Sequence, residues 1–124
     1  KSFLSVSDVL SVCCPATKET TDLINKETLE YLPQGAVVTN VARGDIVNDD
    51  DLIEALNRRK VYAVGLDVYK GEPNLNPGYL KHKSAFILPH LGSASKHTRT
   101  AMADLAIDNI DEFFKNGSCK NKVN

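Results

Sequence analysis

Four short apolar segments constrain the fold of this chain most. Each is rich in β-branched residues and is followed by a polar or proline-containing turn. They lie at 8–14, 36–41, 61–68 and 85–88. Segments of this length that are apolar at nearly every position are typical of strands buried on both faces of a parallel sheet. We therefore expect an α/β layer fold whose strands have no solvent-facing side.

The segments between these strands predict three helices and one long loop. A short helix is expected near 26–31, and a clear one over 48–60, where three acidic residues open the first turn and three basic residues occupy the last. That order of charge complements the helix dipole at both ends. A long amphipathic helix is expected over 95–116, and the Gly- and Pro-rich stretch 70–83 is expected to be a loop.

Charge, hydropathy and cysteine content narrow the classes of function. The 124 residues include 15 basic and 16 acidic side chains, so the net charge is −1 and no basic surplus is present to neutralise nucleic acid. No apolar run approaches the roughly 18–20 residues that span a bilayer, so we expect no membrane partner. The three cysteines lack the spacing of a metal site or a disulfide framework. We expect no metal and a cytoplasmic location.

Reactive side chains follow the expected strands at their carboxyl ends, where ligands bind in parallel sheets. Arg43 comes after the second strand, Asp67 and Glu72 after the third, and His90 after the fourth. Histidine exchanges protons readily near neutral pH, and a carboxylate beside it would favour its charged form. Arginine can hold a carboxylate through two parallel hydrogen bonds. Each residue alone is more simply a solvated turn residue. Because these residues are expected at the same edge of the sheet, the sequence favours a single site that contains all of them.

Motifs for phosphate binding are absent from the sequence. No two of the seven glycines are two residues apart, so neither the dinucleotide fingerprint G-x-G-x-x-G nor a P-loop occurs. No acidic residue can be assigned to the ribose of a dinucleotide either, because the strand that would carry it is not identifiable in this sequence.

Three ordered motifs carry a resemblance to a known family. The segments NVARGDIVNDDDLIEAL, VGLDVYKGEP and ILPHLGSAS occur in that order. Together they resemble the D-isomer-specific 2-hydroxyacid dehydrogenases, and most of all the branch of glyoxylate/hydroxypyruvate reductases and glycerate dehydrogenases. The similarity extends over nearly the whole chain.

The resemblance implies roles for individual residues. Arg43 would bind the keto acid, Glu72 would pair with the catalytic histidine, and His90 would protonate the substrate carbonyl, while Asp67 would contact the nicotinamide carboxamide. The implied cofactor is NAD or NADP, and the implied substrate a small 2-keto or 2-hydroxy acid such as glyoxylate or hydroxypyruvate. The residues expected to bind the cofactor are Cys14, Pro15, Thr20, Val41, Ala42, Arg43, Asp67, His90, Gly92 and Ser93.

The length of the chain departs from the family, whose members are more than twice as long. We therefore expect residues 1–124 to be the carboxyl-terminal half of a Rossmann-like NAD(P)-binding domain, with the helix 95–116 returning toward a substrate domain. The first residue is Lys rather than Met, in keeping with this interpretation. Such a half should be inactive alone, and should form a homodimer or associate with its amino-terminal half.

Two other interpretations compete with an oxidoreductase. The chain could be a non-catalytic binding or interaction module, or an inactive remnant, as in the corepressor branch of the family. A phosphoacceptor receiver domain has a similar length and layout, but it needs an acidic pair after the first strand. Cys14 and Pro15 stand there instead, which argues against a receiver domain.

Overall fold

A four-stranded parallel sheet forms the first of two units into which the chain divides between His90 and Leu91. The computed structural model describes residues 2–123, so Lys1 and Asn124, at the two ends of the expected domain, lie outside the described residues. The elements of the first unit are β1 (Val9–Val12), α1 (Lys26–Glu30), β2 (Ala36–Asn40), α2 (Asp49–Asn57), β3 (Val61–Leu66) and β4 (Ala85–Ile87). The predicted strands and helices are all present.

The strands lie side by side in chain order, β1-β2-β3-β4, and every neighbouring pair is parallel. Crossovers between parallel strands are almost always right-handed, so consecutive connections that advance in one direction fall on the same face of the sheet. The core lies on that face. Strand residues in register, Leu10, Val38 and Val64, pack in one cluster with Leu52 and Leu56 of α2.

The opposite face of the sheet is open, so the expectation of strands buried on both faces is wrong. Val9 in β1, Tyr62 in β3 and Phe86 in β4 are 61%, 69% and 65% exposed. Their neighbours Leu10 and Val61 are buried, as the alternation of side chains along a strand requires. The sequence indicated that both faces are apolar enough for burial. Within the first unit, the connections between strands cover only one of them.

Two local predictions also need correction. Helix α2 ends at Asn57, so Arg58 is its carboxyl-terminal cap and Arg59 follows in the left-handed region at φ 57°, outside the last turn. The expected loop 70–83 contains a 3₁₀ turn at Pro77–Lys81, which is capped by the side chain of Asn76. The side-chain oxygen of Asn76 accepts a hydrogen bond from the backbone N–H of Gly78. This local bond stabilises a turn that the hydropathy pattern alone does not reveal.

The second unit contains helix α3 (Lys96–Asn116), which begins at the cap Ser95 and ends at Gly117 with φ 69°. Its extent matches the expected helix 95–116. The large apolar side chains of α3 are all more than half exposed, and Phe113 and Phe114 are 52% and 82% exposed. No helix within residues 2–123 combines the length and apolarity needed to cross a membrane.

A buried hydrogen bond joins the 3₁₀ turn to the start of α2. The hydroxyl of Tyr79, a residue only 1% exposed, donates to Oδ1 of Asp49 over 2.9 Å. Burial, together with the Asp49 carboxylate, raises the pKa of Tyr79, so its hydroxyl remains a donor. Burial also raises the pKa of Asp49. Tyr79 therefore supplies the polar partner that a buried carboxylate needs.

We expect Tyr79→Phe to lower the free energy of unfolding by about 1–3 kcal/mol, because it leaves the buried Asp49 carboxylate without this donor. Urea unfolding followed by circular dichroism measures the change. Tyr62→Phe is the matched control, since Tyr62 is exposed on the open face. Equal stability of the two variants would contradict the assignment.

The same carboxylate predicts a pH dependence of stability. Because the native pKa of Asp49 is raised above its ordinary value of 3.8, the native state holds this proton more tightly than the unfolded chain does. Its stabilising contribution is present below pH 3.8 and is lost as pH rises through the native pKa. Asp49→Asn, whose amide oxygen still accepts from Tyr79, should remove this decline in unfolding titrations. Asp50→Asn should retain it, and parallel profiles for wild type and Asp49→Asn would refute the prediction.

Candidate active site

A buried asparagine at the end of β2 shapes the turn that carries Arg43. Asn40 is fully buried, its Oδ1 accepts from the Ala42 N–H at 3.0 Å, and its Nδ2 donates to the Arg43 carbonyl at 2.8 Å. These two bonds satisfy a polar side chain in the core and pin the backbone on both sides of the turn. Arg43 itself is extended, and its Nη1 donates to the Ala42 carbonyl at 2.7 Å.

Gly44 brings this turn against the loop that follows β3. A Cβ built on Gly44 would lie 2.1 Å from the carbonyl carbon and oxygen of Tyr69 and 2.5 Å from the backbone nitrogen of Lys70. Backbone atoms cannot move aside as a flexible side chain does, so only glycine fits here. The Arg43 turn and the Tyr69–Lys70 backbone are thus held in direct contact.

Glu72 is held in place by both of its carboxylate oxygens. Its Oε1 accepts from the Tyr69 N–H at 3.0 Å, and its Oε2 lies 2.9 Å from Nδ1 of His90. An ionised carboxylate only accepts hydrogen bonds, so Nδ1 of His90 carries the proton in this pair. Nε2 is the ring nitrogen that does not pair with Glu72.

His90 occupies a backbone conformation that few residues other than glycine adopt. Its φ is 56°, and its N–H donates to the carbonyl of Asp67 at 2.9 Å. Asp67 is buried at the end of β3, and its own N–H donates to the carbonyl of Asn40. A non-glycine residue held in the left-handed region points to a functional constraint. Here the ends of β2 and β3 impose it on the histidine.

Arg43, Glu72 and His90 line one cleft of about 480 Å³, together with backbone and side chains of Ala16, Gly44, Asp45, Tyr69 and Gly71. The three residues that the sequence analysis singled out as catalytic therefore meet at the carboxyl edge of the sheet. The cleft offers a cationic fork, a proton-exchanging imidazole and a carboxylate that orients it. These groups suit a small substrate with a carboxylate and a carbonyl.

A neighbouring cleft of about 550 Å³ is lined by five of the residues expected to bind the cofactor: Cys14, Pro15, Val41, Ala42 and Arg43. The other lining residues are Cys13 and Ala16. Apart from Arg43 these side chains are small or compact. Arg43 borders both clefts. Cofactor contact by these five residues stays a prediction.

Five further residues were expected to contact the cofactor, and one of them, His90, lines the cleft that also contains Arg43 and Glu72. Thr20 lies in the loop after β1, where its hydroxyl donates to the Pro15 carbonyl at 2.8 Å and accepts from the Thr17 N–H at 2.7 Å, so it supports that loop. Asp67 is the buried residue that holds the His90 backbone. Gly92 and Ser93 belong to the second unit and are exposed. Cofactor contact stays a prediction for all five, Asp67, Gly92, His90, Ser93 and Thr20, as it does for the residues that line the neighbouring cleft.

The sequence analysis did not identify Asn40, Gly44 or Tyr69 as parts of this site. Asn40 had a signal, because a polar residue inside the apolar run AVVTNV needs a specific partner when buried. Gly44 and the backbone of Tyr69 had none, since their contact joins loops that are distant in sequence. Within residues 2–123 no group of three potential ligands is arranged to hold a metal ion.

Comparison with known proteins decides the family. Residues 1–92 match the model of the D-isomer specific 2-hydroxyacid dehydrogenase NAD binding domain. The chain belongs to this family. Glycerate dehydrogenase of Hyphomicrobium methylovorum is 45% identical over 113 residues, or 91% of this chain and 35% of that protein. Hydroxypyruvate reductase of Blautia hydrogenotrophica is 42% identical over 124 residues, or 98% of this chain and 38% of that protein.

Solved structures of the family have the same fold. The NADPH-dependent glyoxylate/hydroxypyruvate reductase from Sinorhizobium meliloti, in complex with NADP and malonate, matches with a TM-score of 0.87 and 35% identity, over 96% of this chain and 37% of that one. This confirms a Rossmann-like parallel sheet as the fold class. The chain spans only 35–38% of the length of the two relatives named above.

We expect Gly44→Ala to lower the free energy of unfolding by about 1–3 kcal/mol or more, because the added methyl group overlaps the Tyr69 backbone. Gly65→Ala in β3 is the matched control, since its Cβ would meet only the Thr39 side chain, at 3.4 Å. Thermal unfolding of both variants measures the difference. A Gly44→Ala variant as stable as Gly65→Ala would refute the close contact.

Proposed function

We propose that this chain carries the catalytic residues of an NAD(P)-dependent reductase of small 2-keto acids. The observation that supports this most is the pairing of Glu72 with Nδ1 of His90 at 2.9 Å beside Arg43, in one cleft at the carboxyl edge of the sheet. Relatives named glycerate dehydrogenase, hydroxypyruvate reductase and glyoxylate reductase/hydroxypyruvate reductase favour the same class of substrate.

Each side chain has a distinct part in the proposed reaction. Arg43 binds the substrate carboxylate through its guanidinium fork and places the adjacent carbonyl next to His90. His90 donates the proton on Nε2 to the carbonyl oxygen, and Glu72 stabilises the charged imidazole and fixes its orientation. When bound, the reduced nicotinamide supplies the hydride that the carbonyl carbon accepts. Proton and hydride together convert a 2-keto acid into a 2-hydroxy acid.

The cofactor and the substrate are proposed as classes. The nicotinamide end of NAD or NADP would occupy the small-residue cleft beside Arg43, and glyoxylate or hydroxypyruvate the cleft of about 480 Å³. Residues 1–124 would be the carboxyl-terminal part of the dinucleotide-binding domain, with α3 returning toward a substrate domain. The cysteines Cys13, Cys14 and Cys119 are free thiols, in keeping with the cytoplasm.

The open face of the sheet supports a further part of the proposal. Val9, Tyr62 and Phe86 expose apolar surface there, and an apolar sheet face in water favours association. We propose that it is covered by the amino-terminal half of the domain or by a second copy.

A chimera tests the proposed function. Residues 1–124 replace the matching segment of the Hyphomicrobium methylovorum glycerate dehydrogenase, and oxidation of reduced nicotinamide is followed with hydroxypyruvate. His90→Gln should lower kcat by about 10²–10⁴-fold, because it removes the proton donor. The control His97→Gln changes an exposed histidine in the second unit and should retain activity. The 124-residue chain alone, which lacks the glycine motif, should show no turnover.

Retention of kcat in the His90→Gln chimera would overturn the proposed mechanism and favour a non-catalytic binding module. Normal turnover by the isolated chain would overturn the proposal that it needs its amino-terminal half.

A further inference from the structure

We propose that Asp22 and Lys70 form a positioning ion pair that holds the Arg43 turn and the Glu72 loop at the spacing the reaction requires. Oδ1 of Asp22 lies 3.2 Å from Nζ of Lys70, across 48 residues of sequence. The inference rests on the proposed function, since it concerns the same cleft. Neither residue lines the clefts described above, so both would act through Arg43 and Glu72.

Asp22 is anchored to the Arg43 turn through its backbone. Its N–H donates to the carbonyl of Asp45 at 2.9 Å, and its own carbonyl accepts from Nδ2 of Asn25 at 2.9 Å. Two residues on, the Ile24 N–H donates to the carbonyl of Ile46, so the two segments run side by side. Asp22 has a φ of 49°, a conformation that its neighbours must impose. Its carboxylate therefore projects from backbone that is fixed relative to Arg43.

Lys70 belongs to the loop that carries Glu72. Its neighbour Tyr69 donates its N–H to the Glu72 carboxylate, and the Tyr69–Lys70 backbone contacts Gly44. Gly71, at φ 75°, separates Lys70 from Glu72 and gives the loop conformational freedom. The ion pair restrains the loop directly before this glycine, next to the Tyr69 N–H that holds the Glu72 carboxylate.

The strength of the pair suits a positioning role. The two side chains are 46% and 36% exposed, so water and salt screen their attraction. Exposed pairs of this kind shift an equilibrium by about two- to five-fold. A shift of that size changes how often the Glu72 loop departs from the Arg43 turn, while the core beneath the sheet is unaffected.

Amide hydrogen exchange tests the pair in the 124-residue chain without cofactor. The Tyr69 N–H reports on the loop because it donates to Glu72. Both Asp22→Asn and Lys70→Met should speed its exchange by about two- to five-fold. The double reversal Asp22→Lys with Lys70→Asp should restore protection. High salt should speed exchange in the wild type to the level of the single variants.

The design separates positioning from two simpler effects. Asp22 and Lys70 carry opposite charges, so a purely electrostatic influence on exchange would move the two single variants in opposite directions. Asp111→Asn is the matched control, since it removes an exposed ion pair with Lys115 on α3 and should leave Tyr69 exchange unchanged. A general loss of stability would speed exchange of the β2 and β3 amides equally. Opposite effects of the two single variants, or equal acceleration of the β2 and β3 amides, would overturn the proposal. Failure of the double reversal to restore protection would overturn it as well.

Kinetics in the chimera separate this inference from the proposed function. Asp22→Asn and Lys70→Met should each lower kcat by about two- to five-fold, and the double reversal should recover it. If His90→Gln abolishes activity while both single variants keep full kcat, the ion pair has no positioning role and the proposed function stands. If His90→Gln leaves activity intact, the proposed function fails, and hydrogen exchange alone still decides whether the ion pair holds the loop.

Discussion

Parallel pairing of the four strands in chain order is the constraint on which the rest of this structure depends. It forces every connection onto one face of the sheet, which becomes the core side, and it brings the carboxyl ends of all strands to one edge. Arg43, Glu72 and His90 follow three different strands, and this edge is what brings them together. The open face has the same origin, because each connection that packs on one side leaves the other uncovered within this unit.

Backbone contacts then set the geometry of the cleft more than side-chain packing does. Gly44 admits the Tyr69 backbone, Asn40 bonds the turn around Arg43, and Asp67 holds His90 in the left-handed region. Arg43 and His90 therefore project from turns that the ends of β2 and β3 restrain. Glu72 is restrained through the Tyr69 N–H and completes the arrangement.

Particular residues show what could be predicted from the sequence and what could not. The strands, the helices and the shared location of Arg43, Glu72 and His90 were predicted correctly. Hydrophobic patterning identifies the strands locally, and parallel pairing places their carboxyl ends at one edge whatever the details of packing. Burial of both sheet faces was predicted wrongly at Tyr62 and Phe86, since apolarity measures the tendency to be buried and not the presence of a covering element.

By itself the sequence determined the element order, the family and the positions of Arg43, Glu72 and His90 after their strands, because each of these depends on the pattern within a short segment. Only the tertiary structure decided that Glu72 bonds Nδ1 of His90, that Gly44 meets the Tyr69 backbone and that Tyr79 bonds Asp49. These contacts join residues 18 to 30 positions apart. Their geometry depends on how strands, turns and loops pack in three dimensions, and no local pattern encodes it.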